Sequence, residues 1–346
     1  MRRHETEIGN TMIKESATLP DGDLEGLFEQ ASGVYRDLQD RITASIESLE
    51  NETEFFNLDE ESGGVAPRSA AKFEEDVWQG DHSGELKLGG GGRTRVINEG
   101  RVFEKGGVNF SDVNGLFSAE FAKNMPGESR EFRASGVSLV LHPRNPHAPT
   151  VHANFRVIRR GPPDNIERLW FGGGADLTPH YLYPEDCRHF HRRFYEACAK
   201  HPEVADYPAM KTACDEYFYI PHREEARGVG GIFYDYRDDR LPETLAFSAE
   251  AGAEFLKAYV PLIQKRAGQP YTQQQRDFQL WKRGRYVEFN LIYDRGTTFG
   301  LRTGGRIESI LMSLPPLVAW HYNFEPAPGS AEDEILNVLR QPVDWI

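Results

Sequence analysis

The chain has 346 residues, 39% of them hydrophobic and 12% aromatic, which is enough for a substantial buried core. Its net charge of −14 disfavours nucleic acid as a partner, because binding to phosphates requires a basic surface. The longest apolar runs, such as 138–141, are far too short to cross a membrane.

The beginning of the chain and its cysteines indicate a compartment. Residues 1–10 contain two Arg, two Glu and no apolar stretch, unlike a signal peptide or a transit peptide. Cys187, Cys198 and Cys214 form no C-x-x-C pair and have no zinc-ligand spacing. Both observations favour the reducing cytoplasm.

An amphipathic helix is the first predicted element, because apolar side chains recur at helical spacing over residues 24–49. Residues 57–70 are expected to form a loop. The run Gly89–Gly92 is predicted to be a flexible turn, since it lacks the Lys-Ser/Thr of a phosphate-binding loop. We expect residues 1–65 to be an N-terminal helix and linker packed on a single domain of residues 66–346.

The rest of the chain predicts a sheet covered by helices. Segments rich in Val, Ile, Phe and Tyr predict strands near 93–103, 133–142, 150–158, 168–175, 229–236 and 286–294. Helices are expected near 184–200, 205–220, 242–267, 271–282 and 329–341. The tight connection from Pro143 to Pro149 predicts an antiparallel strand pair. Because strands and helices do not alternate regularly, the pattern favours an α+β fold, a large antiparallel sheet sandwiched between α-helices.

One predicted strand carries the residues of a candidate binding site. His152, Asn154 and Arg156 stand at i, i+2 and i+4, so a strand places all three on one face. An imidazole, an amide and a guanidinium suit the lining of a pocket for an anion better than a plain core strand. The alternatives are a structural histidine at 152 and a solvated surface charge at 156.

Asp176 follows three glycines in W-F-G-G-G-A-D-L-T-P at 170–179. A tight glycine path that ends in an acid predicts a carboxylate aimed into a cavity. The alternative is an N-cap of a following helix, a role that Asp favours. Pro179, three residues later, keeps that alternative open.

A set of motifs resembles the oxygen-dependent coproporphyrinogen III oxidase family. In chain order they are G-G-V-N-F-S at 106–111, the two segments above, C-D-E-Y-F-Y at 214–219 with His222, R-G-V-G-G-I-F-Y-D at 227–235, R-G-R-Y-V-E-F-N-L at 283–291 and D-R-G-T-T-F-G-L-R-T-G-G-R-I-E-S-I-L-M-S-L-P-P at 294–316. The T-G-G-R spelling is similar to the bacterial branch of that family.

The resemblance implies a reaction and roles for individual residues. Two propionates of coproporphyrinogen III, on rings A and B, would become vinyls, with O2 as the oxidant and no organic cofactor. His152 would donate a proton, and Asp176 would bind the pyrrole N–H groups or act as a general base. Arg156 would clamp a propionate as a bidentate fork. Arg306 would be a second propionate clamp. The further substrate contacts would be Ser138, Asn154, Phe155, Gly304 and Gly305.

A divalent metal remains an open question at this stage. His142, His152, His191 and His222 match positions that have been assigned to a metal in bacterial relatives, but none has a recognised ligand spacing. Structural roles for three of them are the favoured interpretation. A non-haem metal oxygenase would need two His and one carboxylate, which His152, His222 and Asp176 could supply. A binding protein for tetrapyrroles without activity would be expected to lack Asp176 or Arg156.

The segment from Tyr286 to His321 is a dense apolar block. It is either ordinary core or an interface. The resemblance implies that it forms the dimer interface of a twofold homodimer, which would also order the substrate site through Arg306.

Overall fold

The computed structural model describes residues 23–52, 68–80, 88–123, 125–302 and 305–346. Within these ranges a seven-stranded sheet has the order β1-β2-β3-β4-β5-β6-β9, and every neighbouring pair is antiparallel. The strands are β1 (Glu74–Gln79), β2 (Gly89–Asn98), β3 (Phe103–Leu116), β4 (Glu131–Pro143), β5 (Thr150–Arg160), β6 (Arg168–Thr178) and β9 (Gly230–Arg237). A separate small ribbon pairs β7 (Tyr219–Ile220) with β8 (Glu225–Ala226). The predicted α+β fold is therefore confirmed.

Helices cover both faces of the sheet. They are α1 (Leu24–Glu52), α2 (Ala119–Ala122), α3 (Pro184–Lys200), α4 (Tyr207–Tyr217), α5 (Leu241–Arg266), α6 (Gln273–Ile292), α7 (Arg295–Arg302), α8 (Ile307–Leu311) and α9 (Ala331–Arg340). On one face, α1 contacts β3, β4 and β5, and α5 contacts α1, β5 and β6. The apolar stripe of α1 is buried there, as its periodicity predicts. Within the described ranges, no helix combines the length and apolar character that crossing a bilayer requires.

The two faces of β5 separate core from cavity. Val151, Ala153, Phe155 and Val157 are fully buried in the main apolar cluster, together with side chains of α1 and α5. The alternate residues of β5 point to the other face, as the period of a strand requires. Phe155 was predicted to contact the substrate, but its side chain lies in the core on the wrong side of the sheet for that contact.

The prediction of a flexible turn at Gly89–Gly92 is wrong. These glycines lie in β2 and pair with β3 on one side, and two of them also pair with β1 on the other. A Cβ on Gly92 would stand 2.4 Å from the Trp78 ring and 2.6 Å from the backbone oxygen of Phe110. The missing side chain lets Trp78 lie across the strand and donate from Nε1 to Thr94 Oγ1 at 3.1 Å.

The predicted strand at 286–294 is also wrong, because α6 continues to Ile292. A capping box of Thr272 and Gln275 starts the helix. Its buried residues then run almost continuously from Phe278 to Asn290. The helix is therefore enclosed by neighbouring elements on most sides, and this tertiary packing outweighs the strand propensity of the Tyr, Val and Phe side chains in the segment.

Candidate active site

A cavity of about 580 Å³ lies on the face of the sheet opposite α1. Its floor comes from β4, β5, β6 and β9, and its rim from α4 and the segment that runs from the end of α6 to Ser313. Val140, Ile158, Trp170 and Met312 supply apolar wall. A pocket with broad apolar walls and a few converging polar groups is the usual form of a small-molecule site.

A larger but more open hollow of about 820 Å³ lies between α1 and α5. Its walls include Asp37, Asp40 and Glu250, with Arg41 and His201. This acidic lining is poorly matched to a carboxylated ligand, and none of the motif residues lies there.

Four predicted site residues meet on the cavity floor. Strand register places Ser138 on β4 directly opposite Asn154 on β5, and His152 opposite Asp176 on β6. Ser138, His152, Asn154 and Arg156 all line the cavity. The side chains of Asn154 and Arg156 also contact each other, since the guanidinium Nη1 donates to the amide Oδ1 at 3.1 Å.

Asp176 lies beneath this floor instead of lining it. Its side chain is only 1% exposed, and its Oδ1 accepts a hydrogen bond from His152 Nδ1 at 2.8 Å. Both carboxylate oxygens accept from Arg227 Nη2 at 2.9 Å. Burial by itself would raise the pKa of Asp176, but Arg227 and His152 outweigh it and hold that pKa below its ordinary value.

The position of Asp176 matches neither prediction made for it, the helix N-cap or the carboxylate aimed into the cavity. The residue lies within β6, and the helix that follows has Tyr183 as its N-cap, so the capping role is wrong. Direct contact with a ligand also differs from this geometry, because the Asp176 side chain is almost fully buried and is not among the described residues that line the cavity, whereas its partners His152 and Arg227 are. A carboxylate only accepts here, so His152 carries its proton on Nδ1 and leaves Nε2 for other partners.

Arg227 is a functional candidate that the sequence reasoning missed. Its guanidinium is 2% exposed and lines the cavity. It lies 4.0 Å from the centroid of the Phe218 ring and 4.6 Å from that of Tyr286, and its Nη1 donates to Asn290 Oδ1 at 2.8 Å. Arg227 is the first residue of the motif R-G-V-G-G-I-F-Y-D at 227–235, and its place in that motif is the only indication of a role that the sequence offers.

Arg156 has an ion-pair partner on a different strand. Its Nη2 lies 2.8 Å from Asp235 Oδ1 on β9, and its side chain is 29% exposed toward the cavity. Burial by itself would lower the pKa of Arg156, but Asp235 outweighs it and raises that pKa. Asp235 and Arg295 also line the cavity, and neither was assigned a role from the sequence.

The second predicted propionate clamp lies elsewhere. Arg306 donates to Asp76 on the edge strand β1 and to Ser309 Oγ at 3.3 Å, and it is not among the described residues that line the cavity. Gly305 donates its backbone N–H to the Gly300 oxygen at 2.8 Å. Gly304 lies outside the described residues. Ser309 and Ile310, just beyond this segment, do line the cavity.

Two of the four candidate metal ligands are buried structural groups. His142 Nε2 lies 2.9 Å from the Ser313 oxygen, and His191 Nδ1 lies 2.7 Å from the Tyr207 hydroxyl. Burial lowers the pKa of His142 and of His191 to about 3, with smaller contributions from Arg283 and Lys211 respectively.

His222 lies on the surface and contacts Tyr293 and Glu288 at 2.7 and 2.8 Å. The four histidines thus have separate sets of partners, and His152, His222 and Asp176 do not assemble into a triad. The described ranges contain no group of three or more His, Cys, Asp or Glu side chains that could hold a metal ion.

Known proteins match this chain over most of its length. The profile of the coproporphyrinogen III oxidase family matches residues 30–345. A protein of Coxiella burnetii (strain Dugway 5J108-111) called oxygen-dependent coproporphyrinogen-III oxidase is 47% identical over 318 residues, which are 91% of this chain and 94% of that protein. A protein of Francisella philomiragia with the same name is 45% identical over 320 residues, 92% of this chain and 98% of its own length.

Proposed function

The chain belongs to the coproporphyrinogen III oxidase family, and we propose that it catalyses the oxygen-dependent conversion of coproporphyrinogen III to protoporphyrinogen IX in haem biosynthesis. The propionates of rings A and B become vinyls. Each conversion releases CO2 and removes two electrons, which O2 accepts. We propose that no organic cofactor takes part.

The observation that carries this proposal is that Arg156 and His152 lie on the same face of one strand, at the floor of a cavity with apolar walls. The substrate is a macrocycle of four pyrrole rings joined by methylene bridges, with carboxylates at its edge. Apolar walls suit the macrocycle, and a guanidinium suits a carboxylate.

Arg156 is the proposed propionate-binding residue. A guanidinium has five N–H donors. Asn154 and Asp235 each take one, so donors remain for a carboxylate of the substrate. The bound propionate would lie two residues along the strand face from Asn154, and four from His152.

His152 is the proposed proton-transfer group. Its Nδ1–H is held by Asp176, which fixes the ring and leaves Nε2 to exchange a proton with the substrate or with reduced oxygen. Arg227 holds the charge of Asp176 in place, so that the pair Asp176–His152 keeps one orientation. The same role of a buried carboxylate, which orients a histidine without touching the substrate, is known from hydrolytic triads.

Assembly, domain organisation and location complete the proposal. We propose a homodimer whose interface is formed largely by 286–321. Tyr286 and Phe289 of this segment belong to the core. In support of an interface, the same segment also carries a cluster of exposed apolar side chains, which are Leu291, Ile292, Leu301, Ile307, Leu317 and Trp320. We also propose that residues 66–346 hold the catalytic domain, that α1 of the preceding segment packs on it, and that the protein acts in the cytoplasm. Residues 1–22 and 53–65 lie outside the described residues.

The test is turnover of coproporphyrinogen III by the purified, untagged full chain, with and without O2 and with and without EDTA. We expect protoporphyrinogen IX and CO2 only in the presence of O2, and most of the activity to survive chelation. Binding without turnover under air would favour the tetrapyrrole-binding alternative. Activity that vanished with EDTA and returned with one divalent ion would favour the metal oxygenase and return His142, His152, His191 and His222 to consideration.

A further inference from the structure

Asp235 stands between two cations of the cavity. Its Oδ1 lies 2.8 Å from Arg156 Nη2, and its Oδ2 lies 3.8 Å from Arg295 Nη2. Asp235 is a carboxylate in a site that must attract carboxylates, so its presence opposes substrate binding and requires another explanation.

The Asp235–Arg156 ion pair spans the strand that lies between their two strands. Arg156 lies on β5 and Asp235 on β9, with β6 between them. The residue of β6 opposite Arg156 is Gly172. A Cβ at Gly172 would stand 2.7 Å from Asp235 Oδ1 and 2.9 Å from Arg156 Nη2. The ion pair therefore occupies the space that any other residue at 172 would fill.

The pairing of β6 with β9 is irregular at the same point. The register shifts between Phe171 and Gly173, so that Asp235 and Tyr236 together oppose Gly172. Tyr236 has φ 52°, a left-handed backbone that is strained for a non-glycine residue. Its N–H donates to Asp235 Oδ1 at 3.0 Å. A bulge of this kind re-aims a side chain, and here the re-aimed side chain is Asp235.

We propose that Asp235 is a positioning residue for the reaction. It holds the Arg156 guanidinium over Gly172 and draws Arg295 toward the same carboxylate, so that the cavity presents two cations in a set arrangement. Because one anion joins them, the two guanidinium groups stay together despite their like charge. A substrate with several carboxylates at the edge of one macrocycle then meets a prepared pair of binding groups. This inference rests on the proposed function, and it assigns Asp235 and Gly172 to the orientation of the reacting propionate.

Replacing Asp235 by Asn has two opposite effects on the substrate site: it removes a negative charge, and it removes the partner that orients Arg156. Steady-state kinetics can separate the two. Asp235→Asn removes a negative charge beside Arg156, so attraction of carboxylates should rise while the orientation of the guanidinium is lost. We expect kcat to fall at least tenfold, with KM unchanged or lower. Gly172→Ala keeps every charge but displaces the pair, so kcat should fall at least tenfold and KM should rise. Asp239→Asn, at an exposed acid just beyond the end of β9, should stay within twofold of the wild type in both constants.

One outcome would overturn the proposal, whatever happens to KM: a kcat within twofold of the wild type in either variant. If Asp235→Asn does not fold, Gly172→Ala carries the kinetic test alone. A crystal structure of either variant gives a readout independent of activity. An Arg156 guanidinium unmoved in Asp235→Asn would contradict the positioning role even if the wild type proved inactive, whereas inactivity of the wild type by itself would count against the proposed function.

Discussion

Arg156 and Arg306 show how differently two arginines of the motif region are used. Arg156 faces the cavity with Asn154 and Asp235 as partners, whereas Arg306 pairs with Asp76 near the edge of the sheet. A guanidinium offers a planar fork to a carboxylate, and an ammonium offers a point charge. At the scale of single residues, function therefore depends on the partners that hold each side chain.

We expect Arg156→Ala to abolish turnover and Arg156→Lys to recover little of it. Loss of a charged hydrogen bond together with an unpaired propionate should cost roughly 3 kcal/mol, more than about a hundredfold in kcat/KM. The matched control is Arg306→Lys, which should keep near-normal kinetics because Arg306 lies outside the cavity lining. Near-normal kcat/KM in Arg156→Lys would exclude a bidentate clamp.

Asp176→Asn should lose most of the activity and several kcal/mol of stability. The amide can still accept from His152, but it leaves the charge of Arg227 buried without an anion. Breaking one partner of a buried ion pair costs about 3–5 kcal/mol. Urea unfolding at neutral pH measures this, with Asp239→Asn as the exposed control. An unchanged unfolding midpoint would show that Arg227 does not depend on Asp176.

At the scale of elements, glycines decide how closely neighbouring segments approach. Gly92 in β2 admits the Trp78 ring, while Gly33 in α1 has open space where a Cβ would stand. The same substitution should therefore have opposite signs in the two elements.

Gly92→Ala should destabilise the sheet, because the new Cβ meets the backbone oxygen of Phe110 as well as Trp78. Gly33→Ala should stabilise the protein by about 0.5–1 kcal/mol, since alanine favours a helix interior over glycine. Thermal unfolding of both variants checks the pair. A stabilised Gly92→Ala would mean that Trp78 moves aside without cost.

Assembly belongs to the scale of the whole molecule. We expect an obligate homodimer, and we expect Leu317→Glu to dissociate it because a buried unpaired charge is costly at an apolar interface. Val77→Glu is the control, since Val77 is exposed on β1 outside the 286–321 segment. Sedimentation of dilute protein, with activity measured at the same concentrations, tests both. A folded, fully active monomer at nanomolar concentration would contradict the obligate homodimer.

The buried histidines predict how the whole molecule responds to acid. His142 and His191 stay neutral when folded, since burial holds the pKa of each at about 3. The unfolded chain takes up these protons below about pH 6.5, so stability is fully present above that pH and falls as the pH drops toward 3. Each group should contribute a slope of about 1.4 kcal/mol per pH unit.

The measurement is the free energy of unfolding between pH 7 and pH 4.5. His191→Gln should reduce the slope of unfolding free energy against pH by about 1.4 kcal/mol per pH unit, the contribution of one proton. His189→Gln, at a partly exposed position on the same helix, should leave the slope unchanged. A slope in His191→Gln equal to that of the wild type would exclude His191 as a source of the acid sensitivity.

The sequence by itself determined the fold class, most of the elements and the face shared by His152, Asn154 and Arg156. These depend on periods of two and 3.6 residues, which a local pattern carries. It misjudged Gly89–Gly92 and 286–294, where neighbouring strands or a continuing helix overrode local preference. Only the tertiary structure decided that Phe155 lies in the core, that Arg306 pairs with Asp76, and that Arg227 and Asp235 join the cavity. Those contacts cross strands far apart in the chain, and no local spacing records which side chain will meet which.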